Sequence, residues 1–414
     1  MKLGVVADDF TGASDIALTI AEAGMAVTQF IGPPTDAPPP GLGAAVVALK
    51  SRTAPVDEAI RDSLAALAWL RDHGAEQIVL KVCSTFDSTA EGNIGPVLEA
   101  LAEPLGAEQI LVCPAFPENG RSVYQGHLFV GDRLLNECGM QNHPLTPMRD
   151  ADLRRVLGSQ ARWPVAHVGA GVVARGGAAI SAALPAQQSM VIVDAIQDSD
   201  LWAIAGAAKG QALLCGGSGI ALGLPANFGA LSAPPPWTPI TGPGVVLSGS
   251  CSVATRAQVE RFAATQPTFP IAAQAAVDGT VTAAAIAEWV QAQSTLSQTT
   301  VPLVYSSADP DQVRAMQEKL GRERVAAAIE GLFAELAQLL VARGVKRLVV
   351  AGGETSGAVV SALGAQALII GPRIAAGVPL VQVSGKPVAL ALKSGNFGDA
   401  DFFTTALNLM EQPV

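Results

Sequence analysis

The chain has 414 residues, enough for two or three domains with large cores, which excludes a small disulfide-stabilised scaffold. Hydrophobic residues make up 50% and charged residues 15%, which excludes a disordered chain. With 26 Lys and Arg against 36 Asp and Glu the formal net charge is −10, and the basic surface that nucleic-acid binding requires is missing.

Short apolar runs alternate with longer amphipathic runs along the whole chain, a pattern typical of βαβ units with parallel sheets. The strands predicted in the first half are Leu3–Ala7, Val27–Ile31, Ala44–Leu49, Gln77–Val82, Gln109–Cys113 and Met190–Val193. The helices predicted between several of them are Gly12–Ala23, Val56–Asp72, Glu91–Leu101 and Ser199–Ala208.

A proline-rich segment, residues 233–239, follows this half, and its composition favours an extended connector. The strands predicted beyond it are Val245–Ser248, Leu303–Ser306, Arg347–Ala351, Leu380–Val383 and Val388–Leu392. The helices are Thr255–Ala264, Ala283–Ala292, Arg324–Arg343, Ser356–Leu363 and Ala400–Leu409. We therefore predict two α/β domains with largely parallel sheets, residues 1–235 and 240–414, and an active-site cleft between them.

The chain carries no mark of secretion or of a membrane span. Its five cysteines are widely spaced without a Cys-x-x-Cys pair, which predicts buried thiols in a reducing compartment. Asp8 and Asp9 stand where a signal peptide needs apolar residues, and the longest uncharged stretch, residues 210–255, is broken by Gly and Pro. We expect a cytoplasmic protein without a nucleic-acid or membrane partner, and a homodimer is the usual assembly of such enzymes.

Three polar clusters follow three predicted strands of the first half. The first holds Asp8 and Asp9, of which one can face a ligand while the other caps the next helix; capping alone is the alternative. The second holds Lys81, Ser84 and Asp87. A lysine on an apolar strand needs an anionic partner, which is either an acid substrate or Asp87, and the hydroxyl groups either bind a polyhydroxy ligand or cap a helix.

The third cluster holds Arg121 and His127. Arg121 offers a fork suited to a carboxylate, although a surface ion pair is the alternative. His127 can donate to a ligand oxygen, or it is an ordinary loop histidine. Ligands of open α/β sheets bind at the carboxyl ends of strands, so the three clusters together predict a site for a small, oxygen-rich anion.

Glycine- and serine-rich turns follow three predicted strands of the second half. They contain Ser250 and Ser252, then the run Gly352–Thr355, then Gly395. Backbone N–H groups at such turns bind phosphates, although each turn alone is equally typical of a tight connection. Walker A and Gly-x-Gly-x-x-Gly motifs are both absent. The first half is suited to a hydroxy acid and the second half to phosphates. This division is typical of phosphoryl transfer, which mainly requires two reactants to be positioned next to each other.

These blocks, in this order over almost the whole chain, resemble the four-carbon acid sugar kinases, a family formerly classed as a domain of unknown function. Residues 114–121, 124–130 and 142–148 resemble the 3-oxo-tetronate kinases most, with threonate and erythronate kinases as alternatives. The resemblance implies ATP-dependent phosphorylation of the C4 hydroxyl of a four-carbon 3-oxo sugar acid. It also implies that the acid binds the N-terminal domain and that ATP binds the C-terminal domain, at Ser250, Gly352, Gly353, Glu354, Thr355 and Gly395.

Charge and location suggest the remaining roles. We expect Asp9 or Asp87, and after them Asp8, to orient or deprotonate the attacking hydroxyl. Lys81, Ser84, Arg121 and His127 are expected to bind the acid, and Ser252 to join the nucleotide site. We also expect Mg²⁺ to bridge the phosphates, through ligands that the sequence does not identify. A non-catalytic sugar-acid sensor would explain the polar clusters but not the glycine-rich turns, and an oxidoreductase is disfavoured by the missing dinucleotide motif.

Overall fold

The computed structural model describes residues 1–142, 146–233, 235–296, 300–306 and 319–413. Residues 143–145 of the block 142–148, and Pro234 of the predicted connector, lie outside them. The chain divides into two compact units, Met1–Pro235 and Pro236–Val414. Each unit contains a mostly parallel sheet with helices, which confirms the predicted α/β class.

The N-terminal unit contains a parallel sheet in the order β2-β3-β1-β4-β11-β5-β10-β9 and a small antiparallel sheet, β6-β7-β8. Its strands are β1 Leu3–Ala7, β2 Val27–Ile31, β3 Ala44–Ala48, β4 Gln77–Lys81, β5 Gln109–Cys113, β6 Arg121–Tyr124, β7 His127–Val130, β8 Arg133–Leu134, β9 Val165–Val168, β10 Ser189–Val193 and β11 Leu213–Gly216. Its helices are α1 Phe10–Glu22, α2 Val56–Asp72, α3 Ile94–Leu105, α4 Leu153–Gly158, α5 Ala170–Val173, α6 Gly177–Ala182 and α7 Asp198–Ala207.

The register of the central strands determines where polar side chains meet in this unit. All five residues of β1 are buried, as expected for a parallel strand covered on both faces. Ala7 pairs with Ala48 of β3 on one side and with Lys81 of β4 on the other. The carboxyl ends of β1, β3 and β4 are therefore neighbours, and the residues after them share one edge of the sheet.

The C-terminal unit has the strand order β13-β14-β12-β15-β18-β17-β16, in which only the pairs β16–β17 and β17–β18 are antiparallel. The strands are β12 Gly244–Ser248, β13 Thr268–Pro270, β14 Leu303–Tyr305, β15 Arg347–Ala351, β16 Ala367–Ala375, β17 Val378–Val383 and β18 Ala389–Lys393. The helices are α8 Val253–Ala263, α9 Ala273–Val277, α10 Ala283–Leu296, α11 Arg322–Ala342, α12 Gly353–Ala362 and α13 Phe402–Glu411. Ala351 pairs with both Ser248 and Lys393, so the carboxyl ends of β12, β15 and β18 are adjacent.

Two expectations need correction. All five cysteines are free, but only Cys113 and Cys215, which lie on strands, are buried; Cys83 and Cys138 are half-buried, and Cys251, in the turn after β12, is exposed. The predicted connector also contains a core residue: Trp237 is 7% exposed and packs over Gly371, where an added Cβ would lie 2.3 Å from the ring. The indole N–H donates to the carbonyl of Met410 at 3.2 Å, so this segment is anchored in the C-terminal unit.

Among the described helices, α11 alone is long and apolar enough to cross a membrane, judged by length and composition. A core helix passes the same test. In the C-terminal unit α11 packs against α9, α10 and α12, and it buries Val325, Phe333, Leu336 and Leu340 among its apolar side chains. The packing therefore accounts for its apolar composition.

Candidate active site

Two adjacent carboxylates after β1 share one arginine. Asp8 is 6% exposed, and Asp9 is the N-cap of α1. The Asp9 carboxylate accepts hydrogen bonds from Gly12 N at 3.2 Å and Thr11 Oγ1 at 2.8 Å. Arg52, from the loop after β3, donates through Nε and Nη2 to the two oxygens of Asp8 at 2.9 and 2.8 Å, and through Nη2 to Asp9 Oδ1 at 2.7 Å. One guanidinium therefore offsets two carboxylates, of which Asp8 is buried and Asp9 half-buried.

The pKa values of the two carboxyl groups shift in opposite directions. Burial raises the pKa of Asp8 above its ordinary value, and the attraction of Arg52 does not cancel this effect. Burial acts on Asp9 as well, but attraction by Arg52 and Lys81 and hydrogen bonds from Thr11 and Gly12 outweigh it, so the pKa of Asp9 lies below its ordinary value. Asp9 is held as a carboxylate and is the weaker base of the two.

Lys81 ends β4 and is only 2% exposed. Its ammonium group donates to the carbonyl of Val82 at 2.8 Å, and a Cβ added at Gly12 would lie 2.8 Å from Nζ. The absence of a side chain at Gly12 therefore makes room for Lys81 against the first turn of α1. Asp87, the partner that the sequence offered for this lysine, instead accepts a hydrogen bond from Thr85 Oγ1 at 2.6 Å.

Asp87 lies in a strained turn after β4. Phe86, directly before it, has a φ of 53°, a left-handed conformation that costs a bulky residue about 1–3 kcal/mol. The amide of Phe86 donates to the carbonyl of Cys83 at 2.9 Å, which closes the turn. Asp87 lines a hollow together with Asp8 and Arg52. The Asp87 carboxyl group and the Asp8–Arg52 ion pair therefore face the same space.

Three glycine-rich turns meet at the carboxyl ends of β12, β15 and β18. A Cβ added at Gly249 would lie 2.2 Å from Thr355 Oγ1, and one at Gly395 would lie 2.7 Å from Ser250 Oγ. Gly352 has a φ of 129°, and a Cβ added there would lie 3.3 Å from the amide nitrogen of Ser250. The structure thus brings together the three turns that the sequence suggested for phosphate binding.

Two helices begin within these turns. Ser252 is the N-cap of α8, and its hydroxyl accepts a hydrogen bond from Thr255 N at 3.2 Å. Gly352 is the N-cap of α12 and has no side chain with which to cap it; Gly353 and Glu354 form the first turn. Helix N-termini of this kind concentrate N–H groups and partial positive charge, which suits them to an anion.

Comparison with known proteins assigns a family to these two units. Residues 3–224 match a family model described as a sugar-binding N-terminal domain, and residues 245–403 match a nucleotide-binding C-terminal domain. Two proteins named 3-oxo-tetronate kinase, from Pseudomonas fluorescens and Cupriavidus necator, are each 49% identical over 98% of this chain and 96% of their own length. The chain belongs to the four-carbon acid sugar kinase family.

Two solved structures are similar to this fold over nearly the whole chain. A Salmonella typhimurium protein described as a putative tRNA synthase matches with a TM-score of 0.89 and 42% identity, over 98% of both chains. A Haemophilus influenzae protein of the DUF1537 family matches with a TM-score of 0.84 and 42% identity, over 98% of this chain and 100% of its own. As a kinase with a nucleotide-binding domain the enzyme uses ATP, and the three glycine-rich turns lie in the part of the chain that matches that domain.

The other predicted acid-binding residues of the kinase lie on different elements. Arg121, on β6, donates through Nη1 to the carbonyl of Asn119, and its buried Nε has no hydrogen-bond partner among the described residues. His127, on β7, contacts the carbonyl of Gln125 through Nδ1 at 2.8 Å. Ser84 lies in the turn that carries Asp87. Arg121 and His127 therefore belong to the small antiparallel sheet, whereas Ser84 belongs to the turn after β4.

Sequence reasoning missed Arg52 and the residue that holds it. The side-chain amide of Asn93 donates to the carbonyls of Ser51 at 2.7 Å and Ala54 at 2.8 Å, on either side of Arg52. The signal was present in part. Two adjacent acids at a strand end need a cation, and Arg52 follows a neighbouring strand whose end parallel pairing brings to the same edge.

Proposed function

We propose that this kinase transfers the γ-phosphoryl group of ATP to the C4 hydroxyl of a four-carbon 3-oxo sugar acid, a 3-oxo-tetronate. The observation that carries this proposal is the near-full-length identity of 49% to two relatives that bear that name. The division into a sugar-binding and a nucleotide-binding match supports it, because phosphoryl transfer requires mainly the positioning of two reactants and the stabilisation of charge.

In this proposal the acid binds the N-terminal domain at the edge formed by β1, β3 and β4. Asp8 and Asp9 carry two negative charges, and Arg52 and Lys81 carry two positive ones, so the cluster is close to charge balance when both acids are ionised. A substrate carboxylate therefore needs a further cation. The unpartnered Nε of Arg121 makes this residue our candidate, with Ser84 and His127 as hydroxyl and imidazole contacts.

We propose Asp87 as the group that orients or deprotonates the C4 hydroxyl, with Asp8 as the second candidate. Thr85 fixes one oxygen of Asp87, and the residue is 8% exposed at the hollow. The lowered pKa of Asp9 and its role as the N-cap of α1 make it a structural acid in this proposal. Its part is to hold Arg52 and the start of the helix.

The nucleotide is proposed to bind at Ser250, Ser252, the run Gly352–Thr355 and Gly395. Among the described residues no group of three His, Cys, Asp or Glu side chains forms a metal cage. This fits Mg²⁺ in a kinase, which usually takes one or two carboxylates and completes its coordination with phosphates and water. Glu354, in the first turn of α12, is a carboxylate within these turns and would hold the ion, which would neutralise phosphate charge during transfer.

The substitution Asp87→Asn tests the proposed base. It should lower kcat by about 10²-fold or more, because general-base assistance contributes on that order, and should change the KM for ATP little. Steady-state kinetics and a thermal midpoint measure the two effects. The exposed Asp132→Asn is the matched control and should behave as wild type. A normal kcat in Asp87→Asn would shift the role to Asp8, and normal kinetics in Asp8→Asn as well would overturn the assignment.

An ADP-release screen tests the substrate. Purified enzyme with ATP and Mg²⁺ should release ADP fastest, judged by kcat/KM, with a 3-oxo-tetronate, and more slowly with threonate or erythronate. Phosphorus–carbon coupling in the NMR spectrum of the product should identify C4 as the phosphorylated position. Preference for threonate or erythronate would reassign the substrate. ATP binding without acid-dependent ADP release would favour the non-catalytic sensor.

A further inference from the structure

We propose that Gln258 and Lys393 are positioning residues of the nucleotide site. In this inference they hold residues 395–399, named here the phosphate loop, by its carbonyl groups, so that its backbone N–H groups face the phosphates. The inference rests on the proposed function, because it assumes that the C-terminal domain binds ATP at the glycine-rich turns. It adds two residues to that site, Gln258 on α8 and Lys393 at the end of β18, which are not among the glycine and serine residues of the turns.

Gln258 holds one half of the phosphate loop. It lies on α8 and is completely buried. Its Nε2 donates to the carbonyls of Phe397 at 3.0 Å, Gly398 at 3.1 Å and Asp399 at 2.8 Å. The reverse orientation of the amide would direct Oε1 at three carbonyl oxygens, so these contacts fix which way the group points. One side chain thereby turns three successive peptide carbonyls toward α8.

Lys393 holds the first residue of the phosphate loop, Gly395. The carbonyl of Gly395 accepts hydrogen bonds from Thr255 Oγ1 at 2.7 Å, Lys393 Nζ at 3.1 Å and the hydroxyl of Ser252. The Lys393 ammonium also donates to Thr255 Oγ1 at 2.8 Å, and the residue is fully buried. Burial lowers its pKa to about 8. In the part of the chain that the structure describes, no carboxylate pairs with this ammonium group. A buried cation of this kind is costly, so its presence under the loop is better explained by a functional role than by stability.

The orientation of the carbonyls determines that of the N–H groups. The described chain has no cis peptide bond, so the N–H of each following residue points opposite to the carbonyl that is held. The N–H groups of Asn396, Gly398, Asp399 and Ala400 therefore point away from α8, and none makes a hydrogen bond within the described chain. Successive free N–H groups form a concave site for an anion, and Gly395 contacts Ser250 of the first turn.

The test compares two glutamines of the C-terminal domain. Gln258→Leu removes the N–H donors and keeps a side chain of similar size. Gln338→Leu is the control: it removes an amide that also donates to a backbone carbonyl, that of Ala362, outside the phosphate loop. We expect Gln258→Leu to raise the KM for ATP and the Kd for ADP about 10-fold or more, with kcat and the KM for the acid within about twofold. Gln338→Leu should match wild type. A purely structural role would lower the thermal midpoint without this selective change in KM.

Lys393→Met gives a second, independent variant. It removes a buried charge and so is not expected to unfold the domain, and Lys386→Met is its control, since Lys386 Nζ donates to the carbonyl of Leu363. We expect weaker ADP binding in the first variant and unchanged binding in the second, measured by calorimetry on the intact enzyme. If folded Gln258→Leu and Lys393→Met both bind ADP as wild type does, the inference is wrong and the proposed function stands. If the wild type binds neither ADP nor ATP, the proposed function itself fails.

Discussion

Arg52 is the residue on which the N-terminal cluster depends most, because it contacts the carboxylates of both Asp8 and Asp9. Arg52→Met would leave Asp8 and Asp9 with only Lys81 to offset them. Breaking a buried ion pair by removing one partner costs about 3–5 kcal/mol, and we expect a loss of that order in urea unfolding at pH 7.

The rescue of this variant distinguishes charge from packing. Asp8 has a raised pKa and already resists ionisation, so adding Asp8→Asn to Arg52→Met should recover part of the lost stability. The exposed Arg61→Met, which removes the arginine partner of Asp62, should cost little. A stability unchanged by Arg52→Met would show that the cluster is not held by this arginine.

The pKa of Lys393 makes a pH dependence of stability testable. The pKa is about 8 in the folded chain against the ordinary lysine value of 10.5, so the folded state binds fewer protons between these pH values and its stability rises with pH. Relative to Lys393→Met, the wild type should gain about 2 kcal/mol between pH 7 and pH 9.5, since one pKa unit corresponds to about 1.4 kcal/mol. Denaturant unfolding of both proteins at the two pH values measures this. A difference that is constant or falls with pH would contradict the shift.

The elements that the sequence predicts best are buried parallel strands and one amphipathic helix. The predicted bounds of Leu3–Ala7, Val27–Ile31, Gln109–Cys113, Arg347–Ala351 and Val56–Asp72 are those of the structure. Buried parallel strands read as continuous apolar runs, and α2 repeats its buried positions with the period of a helix, so the signal lies within each segment.

Several of the elements that were missed lack such a signal, although β11, a buried parallel strand, was missed as well. The strands β6, β7 and β8 have only four, four and two residues and are partly exposed, and β16 contains Gly371 and Pro372, which usually argue against a strand. The same limit applies to the site. Parallel strands align their carboxyl ends, so the glycine-rich turns and the aspartates could be grouped from sequence. The roles of Arg52 and Gln258 could not be predicted from sequence. The partners of Arg52 depend on the path of the loop after β3, and those of Gln258 depend on which face of α8 packs against the phosphate loop.

At the scale of the whole molecule, both proposed ligands are anions, and the chain that binds them has a net charge of −10. Local cations and dipoles must therefore outweigh the overall field. The two lysines that are buried among the described residues lie one in each unit, Lys81 at the end of β4 and Lys393 at the end of β18. Each sits at the carboxyl edge of its sheet, where ligands of α/β folds bind. Both buried lysines of the described chain thus lie at the two proposed sites.

Hydrogen exchange on the intact enzyme tests this division of ligands. A ligand at 100 times its Kd makes local opening about 100-fold rarer, so bound segments should exchange correspondingly more slowly. ADP alone should protect residues 249–255, 352–357 and 395–400 and leave the segments around Asp8, Arg52 and Asp87 unchanged. The sugar acid alone should do the reverse, and Gln258→Leu should lose the ADP effect while keeping the acid effect. Protection by ADP around Asp8 and Lys81 would contradict the assignment of the phosphates to the C-terminal domain.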